Sequence, residues 1–338
     1  MISAKAIRWS ESQQYGFVTG RVRALETLLL DRVMYERLIR AEGVEEFVAL
    51  LNTTRYGDFL RLVTEGDVRE ALSLASEENF NFILQYAAER WLRDLLWLNR
   101  EVFKLKIMLK SRWQEGQPTA NSRLPTAGWK KIPERERRLA EVGTAVFLKA
   151  KERNDPAVID LELDRFTQEI AMSLTQGQDY ARGYYRLLAD VTNIKTLFRL
   201  KVLGEEEIFP DAFLPGGELS LQLLLQVLKT NNFALLKKSR FWDWVQAGVR
   251  ALGKLGILES REPAQMPEEE GSFLPLERQG RAILIDYINT ARFVALGYEP
   301  LLRFYLLREE ELRNLRLLYA AKVAGLEPKE CQAMVVYG

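Results

Sequence analysis

One helical pattern occurs three times in this 338-residue chain, and the repetition constrains the fold more than any other feature. An acid is followed three positions later by Lys or Asn, then by an aliphatic residue and by Lys or Arg. An apolar residue comes three positions further on, and a base ends the pattern. The copies are EVFKLKIMLKSR (101–112), DVTNIKTLFRLK (190–201) and ELRNLRLLYAAK (311–322). This repetition predicts three segments of common ancestry, each ending in an equivalent helix of a pseudo-threefold body.

Helical geometry places the acid, both apolar positions and the last base of each copy on one face, because successive residues turn by about 100°. The acid and the last base lie about 16 Å apart along the axis, so they cannot pair within their own helix. We expect each to be solvated or to meet another element. In particular, Asp190 and Glu311 should pair with bases of neighbouring segments. The candidate structural and interface residues are Glu101, Arg112, Asp190, Asn193, Lys195, Lys201, Glu311, Asn314, Arg316 and Lys322.

Apolar residues recur at steps of three and four through most of the chain, and alternation with period two is not sustained anywhere. The predicted helical runs are rich in Leu, Ala, Arg and Glu, which favour helices. The fold class is therefore predicted to be all-α. Besides a stripe at 22–33, these runs are 44–51, 80–98, 102–113, 161–174, 184–203, 219–236, 282–296 and 301–324.

Stretches rich in Pro and Gly divide the chain. Residues 114–133 are predicted to form a long connection. A second break covers 204–218, where Gly204 is placed to end a helix. An acidic, Pro-containing stretch at 259–275 is predicted to be an exposed loop. The predicted units are a first helical repeat at 1–114, a second at 115–215 that begins with the connection, and a third at 216–338.

Composition argues against catalysis by this chain. It contains no histidine and one cysteine, Cys331, which removes His-based nucleophile pairs, His-ligated metals and Cys-rich zinc sites. Gly253-Lys254 lacks the glycine spacing of a phosphate-binding loop. We therefore predict a non-catalytic protein with no cofactor and no metal. The longest charge-free run, 219–228, is too short to cross a membrane, and no secretory signal is evident, so a reducing cytoplasmic setting is expected.

Other chemistry remains open as alternatives. The carboxylate pairs Glu309–Glu311 and Glu268–Glu270 could support an enzyme without histidine, but both lie in charge runs and are expected to be solvated. The basic stretch 130–138 could bind phosphate groups, although its interleaved acids favour a solvated helix start. With a formal net charge of +1, nucleic-acid binding is disfavoured. A generic α-helical scaffold or a nucleic-acid-binding adaptor is the alternative function.

Four strings resemble parts of the family of C-type subunits of V/A-type ATPases, whose eukaryotic member is the d-type subunit of the V-ATPase. They are YGFVTGRVRALETLLLD (15–31), DVTNIKTLFRLKVLG (190–204), RFVALGYEPLLRFYLLREEELRNLR (292–316) and EEELRNLRLLYAAKVAGLEPKE (309–330). The strings at 190–204 and 309–330 resemble its signature helices, that at 15–31 its opening helix and that at 292–316 its last segment. Lys104 departs from the repeat, since the other copies have Asn193 and Asn314.

The resemblance implies a funnel of three helical domains around a pseudo-threefold axis. It also implies a central-stalk rotor adaptor that joins axle subunits of D and F type to the proteolipid ring. Such a protein is peripheral to the membrane through the ring and couples ATP hydrolysis or synthesis to H⁺ or Na⁺ transport. Nucleic acid is not an expected partner.

Overall fold

The computed structural model describes residues 7–10, 12–63, 67–114, 134–254, 257 and 274–337. The predicted connection at 114–133 and the predicted loop at 259–275 fall almost entirely outside these residues. Within the described part the chain is all-α, as predicted, and contains no strand. Short 3₁₀ helices cover Gln13–Tyr15, Glu206–Ile208, Phe233–Leu236 and Asn289–Phe293. The α-helices are α1 (Gly16–Glu26), α2 (Arg32–Arg40), α3 (Val44–Asn52), α4 (Gly57–Leu60), α5 (Val68–Tyr86), α6 (Arg90–Gln114), α7 (Glu134–Arg153), α8 (Ala157–Leu174), α9 (Asp179–Leu203), α10 (Phe209–Ala212), α11 (Leu221–Thr230), α12 (Trp242–Lys254), α13 (Leu274–Ile288), α14 (Glu299–Val323) and α15 (Pro328–Met334).

Several predicted runs contain a break that apolar spacing does not reveal. The stripe at 22–33 is divided between α1 and α2, and the run at 80–98 between α5 and α6. The run at 219–236 ends its α-helix at Thr230, because Asn231 adopts a left-handed conformation with φ of 52°. Buried apolar side chains flank the second and third breaks, so the spacing continues there although the helix does not, whereas Leu28 and Val33 at the first break are exposed. Gly204 ends α9 with φ of 71°, as predicted.

The repeated pattern lies on the three 25-residue helices, α6, α9 and α14. Its aliphatic position is buried in every copy, and each copy belongs to a different apolar core. Leu105 packs with α7 and α8, Ile194 lies in the large central core, and Leu315 packs with residues of α2 to α5. The prediction that the aliphatic position lies on the buried face is therefore confirmed in all three copies.

The three repeated helices pack in a closed cycle. Helix α6 packs against α8, α9 packs against α13, and α14 packs against α5. Each partner is the helix that precedes the next repeated helix along the chain: α8 precedes α9, α13 precedes α14, and α5 precedes α6. Each repeated helix thus contributes to the packing of the following segment, and the last helix contributes to the first. The segment boundaries near 114 and 215 stay a prediction.

Candidate functional site

The base five positions after the acid reaches a neighbouring helix in every copy. Lys106 of α6 donates to Asp164 of α8 across 2.6 Å, and Lys195 of α9 donates to Glu277 of α13 across 2.9 Å. Arg316 of α14, although exposed, donates to a backbone carbonyl of α5 across 3.2 Å. These contacts join the helix pairs of the closed cycle, so the same pattern position bridges equivalent helices in all three copies.

The acid and the Asn of the second copy hold the backbone that precedes α11, and we name this group the Asp–Asn clasp. The carboxylate of Asp190 accepts hydrogen bonds from the backbone N–H groups of Glu218 at 2.9 Å and Leu219 at 3.0 Å. Asn193 exchanges two hydrogen bonds with the backbone of Leu214, each of 2.8 Å. Asp190 and Asn193 are both fully buried. Ordinary loop backbone is thereby fixed by two side chains of one helix.

The third copy makes the corresponding contacts, and we name this group the Glu–Asn clasp. Glu311 accepts from the backbone N–H of Leu30 at 2.5 Å and from the Tyr56 hydroxyl at 2.6 Å. Asn314 donates to the carbonyl of Val336 at 2.7 Å and lies 3.5 Å from its N–H, and Arg281 donates to the Asn314 amide oxygen. Both clasp side chains are buried.

The two clasps hold equivalent points of the fold. The Asp–Asn clasp accepts a hydrogen bond from the N–H of Leu219, which directly precedes the N-cap residue of α11, Ser220. The Glu–Asn clasp accepts a hydrogen bond from the N–H of Leu30, which directly precedes the N-cap residue of α2, Asp31. In each case a repeated helix therefore orients the entry of an early helix of another predicted segment, α11 in the third and α2 in the first. In the third copy, the residues so joined are 281 positions apart in sequence.

Two predictions about these acids are wrong. Among the described residues, the hydrogen-bond donors to Asp190 and Glu311 are backbone N–H groups and a tyrosine hydroxyl, not the bases that we expected. Glu311 is also not a solvated surface acid: only 5% of it is exposed, whereas Glu309 is partly buried and bonded to Asn79. A buried carboxylate can be satisfied by neutral donors without a second buried charge, whose desolvation would be costly.

The first copy differs at the same positions. Glu101 receives a hydrogen bond from Lys104 of its own helix at 2.9 Å, and their side chains are 32% and 54% exposed. Lys104 occupies the position of Asn193 and Asn314, and a lysine cannot accept a bond from a backbone N–H. Arg112, the last base of this copy, is half-buried near the end of α6. The departure noted in the sequence thus coincides with an acid that stays near the surface.

The last base of the other copies meets a group outside its own helix. Lys322 is 7% exposed and donates to the carbonyls of Ile39 and Ala41, both at 2.7 Å, where α2 ends. An ammonium at the carboxyl end of a helix is favoured by unpaired carbonyls and by the helix dipole. Lys201 donates to Glu206 at 2.7 Å, just beyond the end of α9. These contacts match the expectation that the acid and base of a copy do not pair with each other.

Burial raises the pKa of both clasp acids. Desolvation raises the pKa of Asp190, and the two N–H groups that bind its carboxylate act in the opposite direction. Desolvation likewise raises the pKa of Glu311, opposed first by the hydrogen bond from Tyr56 and then by that from Leu30. Tyr56 has its own pKa raised by complete burial, so it remains a hydroxyl donor at neutral pH.

Three repeated helices line a common cavity of about 370 Å³. Equivalent pattern positions meet there. Two positions before the acid, α6 contributes Asn99 and α9 contributes Leu188; two positions after it, they contribute Phe103 and Thr192. Helix α14 contributes Leu306, which matches Tyr185 of α9, five positions before the acid. The remaining lining residues include Val102, Lys106, Asp164, Thr167, Gln168, Tyr184 and Leu214.

The sequence interpretation missed the backbone side of the clasps. Leu30, Leu214, Leu219 and Val336 contribute only N–H and carbonyl groups, which residue identity does not reveal. The sequence held one signal, the Gly216-Gly217 pair. In the structure, a Cβ added at Gly217 would collide with the Asp190 carboxylate. The Gly216-Gly217 pair therefore marks a close approach of backbone to a side chain. The dual role of Tyr56, buried and bonded to Glu311, was not foreseen either.

Comparisons with known proteins show the family of the chain. Residues 18–334 match the model of the family described as "ATP synthase (C/AC39) subunit", so the chain belongs to that family. Proteins named as the C-type subunit of an A-type ATP synthase are similar to it over nearly their whole length. Those of Methanococcoides burtonii, Pyrococcus abyssi and Thermococcus onnurineus are 24%, 22% and 25% identical. The alignments cover 94%, 95% and 95% of this chain and 92%, 90% and 90% of the relatives.

Family membership makes this chain a subunit of a rotary ATPase. None of the helices among the described residues is both long and apolar enough to span a bilayer.

Proposed function

We propose that the chain is the central-stalk rotor adaptor of its ATPase. It joins axle subunits of D and F type to the membrane proteolipid ring and so links ATP hydrolysis or synthesis to H⁺ or Na⁺ transport. In this proposal the chain is non-catalytic, lies on the cytoplasmic side and is peripheral to the membrane through the ring. The relatives named above support a place in an A-type ATP synthase.

The observation that carries the proposal is the convergence of α6, α9 and α14 on one cavity. Helices α6, α8 and α9 supply most of its lining and α14 supplies Leu306, so the cavity is a site where several helices of the chain could together receive an elongated partner. The closed cycle of helix packing and the three bridges at Lys106, Lys195 and Arg316 oppose separation of the segments. Close-packed helices have low compressibility, which suits a part that must pass on torque without yielding.

The mouth of the cavity provides a matched test. Phe103 of α6 lines the cavity and is 63% exposed, whereas Val33 of α2 is 64% exposed and lies outside the lining. Phe103→Asp should weaken binding to purified axle subunits at least tenfold, because loss of an aromatic hot spot costs about 2 kcal/mol or more and about 1.4 kcal/mol corresponds to tenfold. Val33→Asp should leave axle binding unchanged. Binding is measured by titration calorimetry with the full-length chain.

The alternative, a generic scaffold or nucleic-acid-binding adaptor, predicts a different result. If the chain bound neither axle nor ring but bound duplex DNA with steep salt dependence, the rotor proposal would be wrong. Turnover of a substrate by the isolated chain would contradict the non-catalytic part of the proposal.

A further inference from the structure

The turn between α11 and α12 carries a concentrated positive charge. From Leu219 to Trp242 the sequence contains four bases and no acid. Lys229, Lys237 and Lys238 are exposed, and the described part of the chain shows no ion pair between them and a carboxylate. We name residues 229–240 the basic turn.

The fourth base is already engaged. Arg240 pairs with Glu218 at 3.2 Å, and its guanidinium lies over the ring of Phe241 at 5.1 Å from the centroid. It therefore belongs to the packing at the start of α12. The net positive charge that the basic turn offers to a partner comes from the three lysines.

Comparison with the corresponding stretch of the first segment shows that this charge does not come from the repeat. The clasps make Leu30 the counterpart of Leu219, so residues 30–53 correspond to 219–242 in order along the chain. The stretch 30–53 has three bases and five acids. Two equivalent elements thus carry opposite net charge, and only the one in the third segment is basic.

The residues between the lysines suit a partner with a flat, negatively charged surface better than a partner that would need a deep pocket. Thr230, Asn231, Asn232 and Ala234 are exposed, small and uncharged, and the turn presents no exposed large apolar side chain. Trp242, next to the turn, is partly exposed, and Trp is common at the level of lipid headgroups. Lysine acts as a point charge toward phosphate without demanding a fixed geometry.

We infer that the basic turn binds the phosphate-bearing headgroups of an anionic lipid surface. The contact is electrostatic and needs no apolar insertion. It is a direct contact of this chain with lipid, in addition to any attachment through other subunits, and it does not depend on the rotor proposal. Duplex nucleic acid is the competing polyanionic partner, and the experiment below distinguishes it from a lipid surface.

The test is sedimentation of the full-length chain with vesicles of phosphatidylglycerol or of phosphatidylcholine. Each lysine near an anionic surface contributes about a fivefold factor in partition, so the triple variant Lys229→Glu, Lys237→Glu, Lys238→Glu should lose about a hundredfold or more. Binding to phosphatidylglycerol should fall steeply between about 20 mM and about 200 mM salt, as the Debye length shortens. Phosphatidylcholine vesicles should bind neither protein.

A charge-matched control separates the basic turn from the overall charge. The control is a second triple variant that lowers the net charge equally at three exposed bases elsewhere: Arg37→Glu, Arg40→Glu, Lys329→Glu. It should retain most of the vesicle binding. Circular dichroism and thermal unfolding establish that both triple variants are folded. Equal loss in both variants, no binding of the native chain to phosphatidylglycerol, or binding to duplex DNA but not to vesicles would each overturn the inference.

Discussion

Asn193 and the backbone of Leu214 are joined by two reciprocal hydrogen bonds of 2.8 Å, with both residues buried. The amide of Asn193 therefore satisfies both polar groups of one loop residue. An amide is suited to this because it offers a donor and an acceptor side by side. Asn314 contacts Val336 in the same manner, which makes the amide a structural requirement of two copies of the repeat.

Asn193→Ala should lower the free energy of unfolding by about 2–5 kcal/mol. The substitution leaves the N–H and carbonyl of Leu214 buried without partners, and each such group costs about 1–3 kcal/mol. Lys104→Ala, at the equivalent position of the first copy, is the control. It should cost less than about 1 kcal/mol, because its pair with Glu101 is largely exposed. Urea unfolding measures both, and equal losses would contradict the assignment.

Gly217→Ala tests the close approach of backbone to the Asp190 carboxylate. The new Cβ would collide with that carboxylate, so we expect a loss of about 1–3 kcal/mol. In an Asp190→Ala background the same change should cost much less, which gives a coupling of at least about 1 kcal/mol in a double-mutant cycle. Gly20→Ala in α1, with open space around it, should be neutral or stabilising. Additive effects at 190 and 217 would refute the contact.

Glu311→Gln should change how stability depends on pH. Burial raises the pKa of Glu311, so the folded state holds its proton more tightly than the unfolded chain. The resulting stability is fully present below the unfolded pKa of about 4.3 and is lost as pH rises through the folded pKa. The free energy of unfolding of the native chain, relative to that of the variant, should therefore be greatest near about pH 4 and decrease toward neutrality.

Tyr56→Phe sharpens this pH test. Its hydroxyl donates to Glu311 and favours the carboxylate, so its removal should shift the loss of stability to higher pH. Chemical unfolding across about pH 4–7 measures both variants. If the stability of the native chain relative to Glu311→Gln increased with pH, the raised pKa of Glu311 would be contradicted.

Lys322→Met tests the cap at the end of α2. Methionine keeps most of the apolar stem but leaves the carbonyls of Ile39 and Ala41 without their buried donor, so we expect a loss of about 2–4 kcal/mol. Lys201→Met removes a pair whose side chains are 10% and 33% exposed, and Glu206 can bind water instead, so the loss should be smaller, about 1–2 kcal/mol. Thermal unfolding distinguishes the two, and a loss at 322 no larger than at 201 would argue against the cap.

Helical periodicity and the threefold pattern predicted a large part of the fold. The all-α class, the three long helices and the buried face around Leu105, Ile194 and Leu315 follow from side-chain spacing, which is a local property of the chain. The helix breaks were less accessible. At Asn231 the backbone turns left-handed while the apolar residues around it remain buried, so spacing alone does not reveal the break.

The clasps show where sequence reasoning stops. That Asp190 and Glu311 would meet neighbouring segments could be inferred from their position beside an apolar stripe. Their partners could not, because every residue except proline carries the same N–H. The closed cycle, with α14 returning to α5, likewise depends on contacts between distant parts of the chain.

The return of α14 to the first segment also decides when that segment can mature. The core around Phe47 and Tyr56 is completed by Leu312, Leu315 and Leu318, which a ribosome makes after all of α1 to α13. A nascent chain therefore carries α2 to α5 with an unfinished apolar face through most of its synthesis, a state prone to aggregation. The core of this early-made region is therefore completed only when α14 has been synthesised, and not one segment at a time.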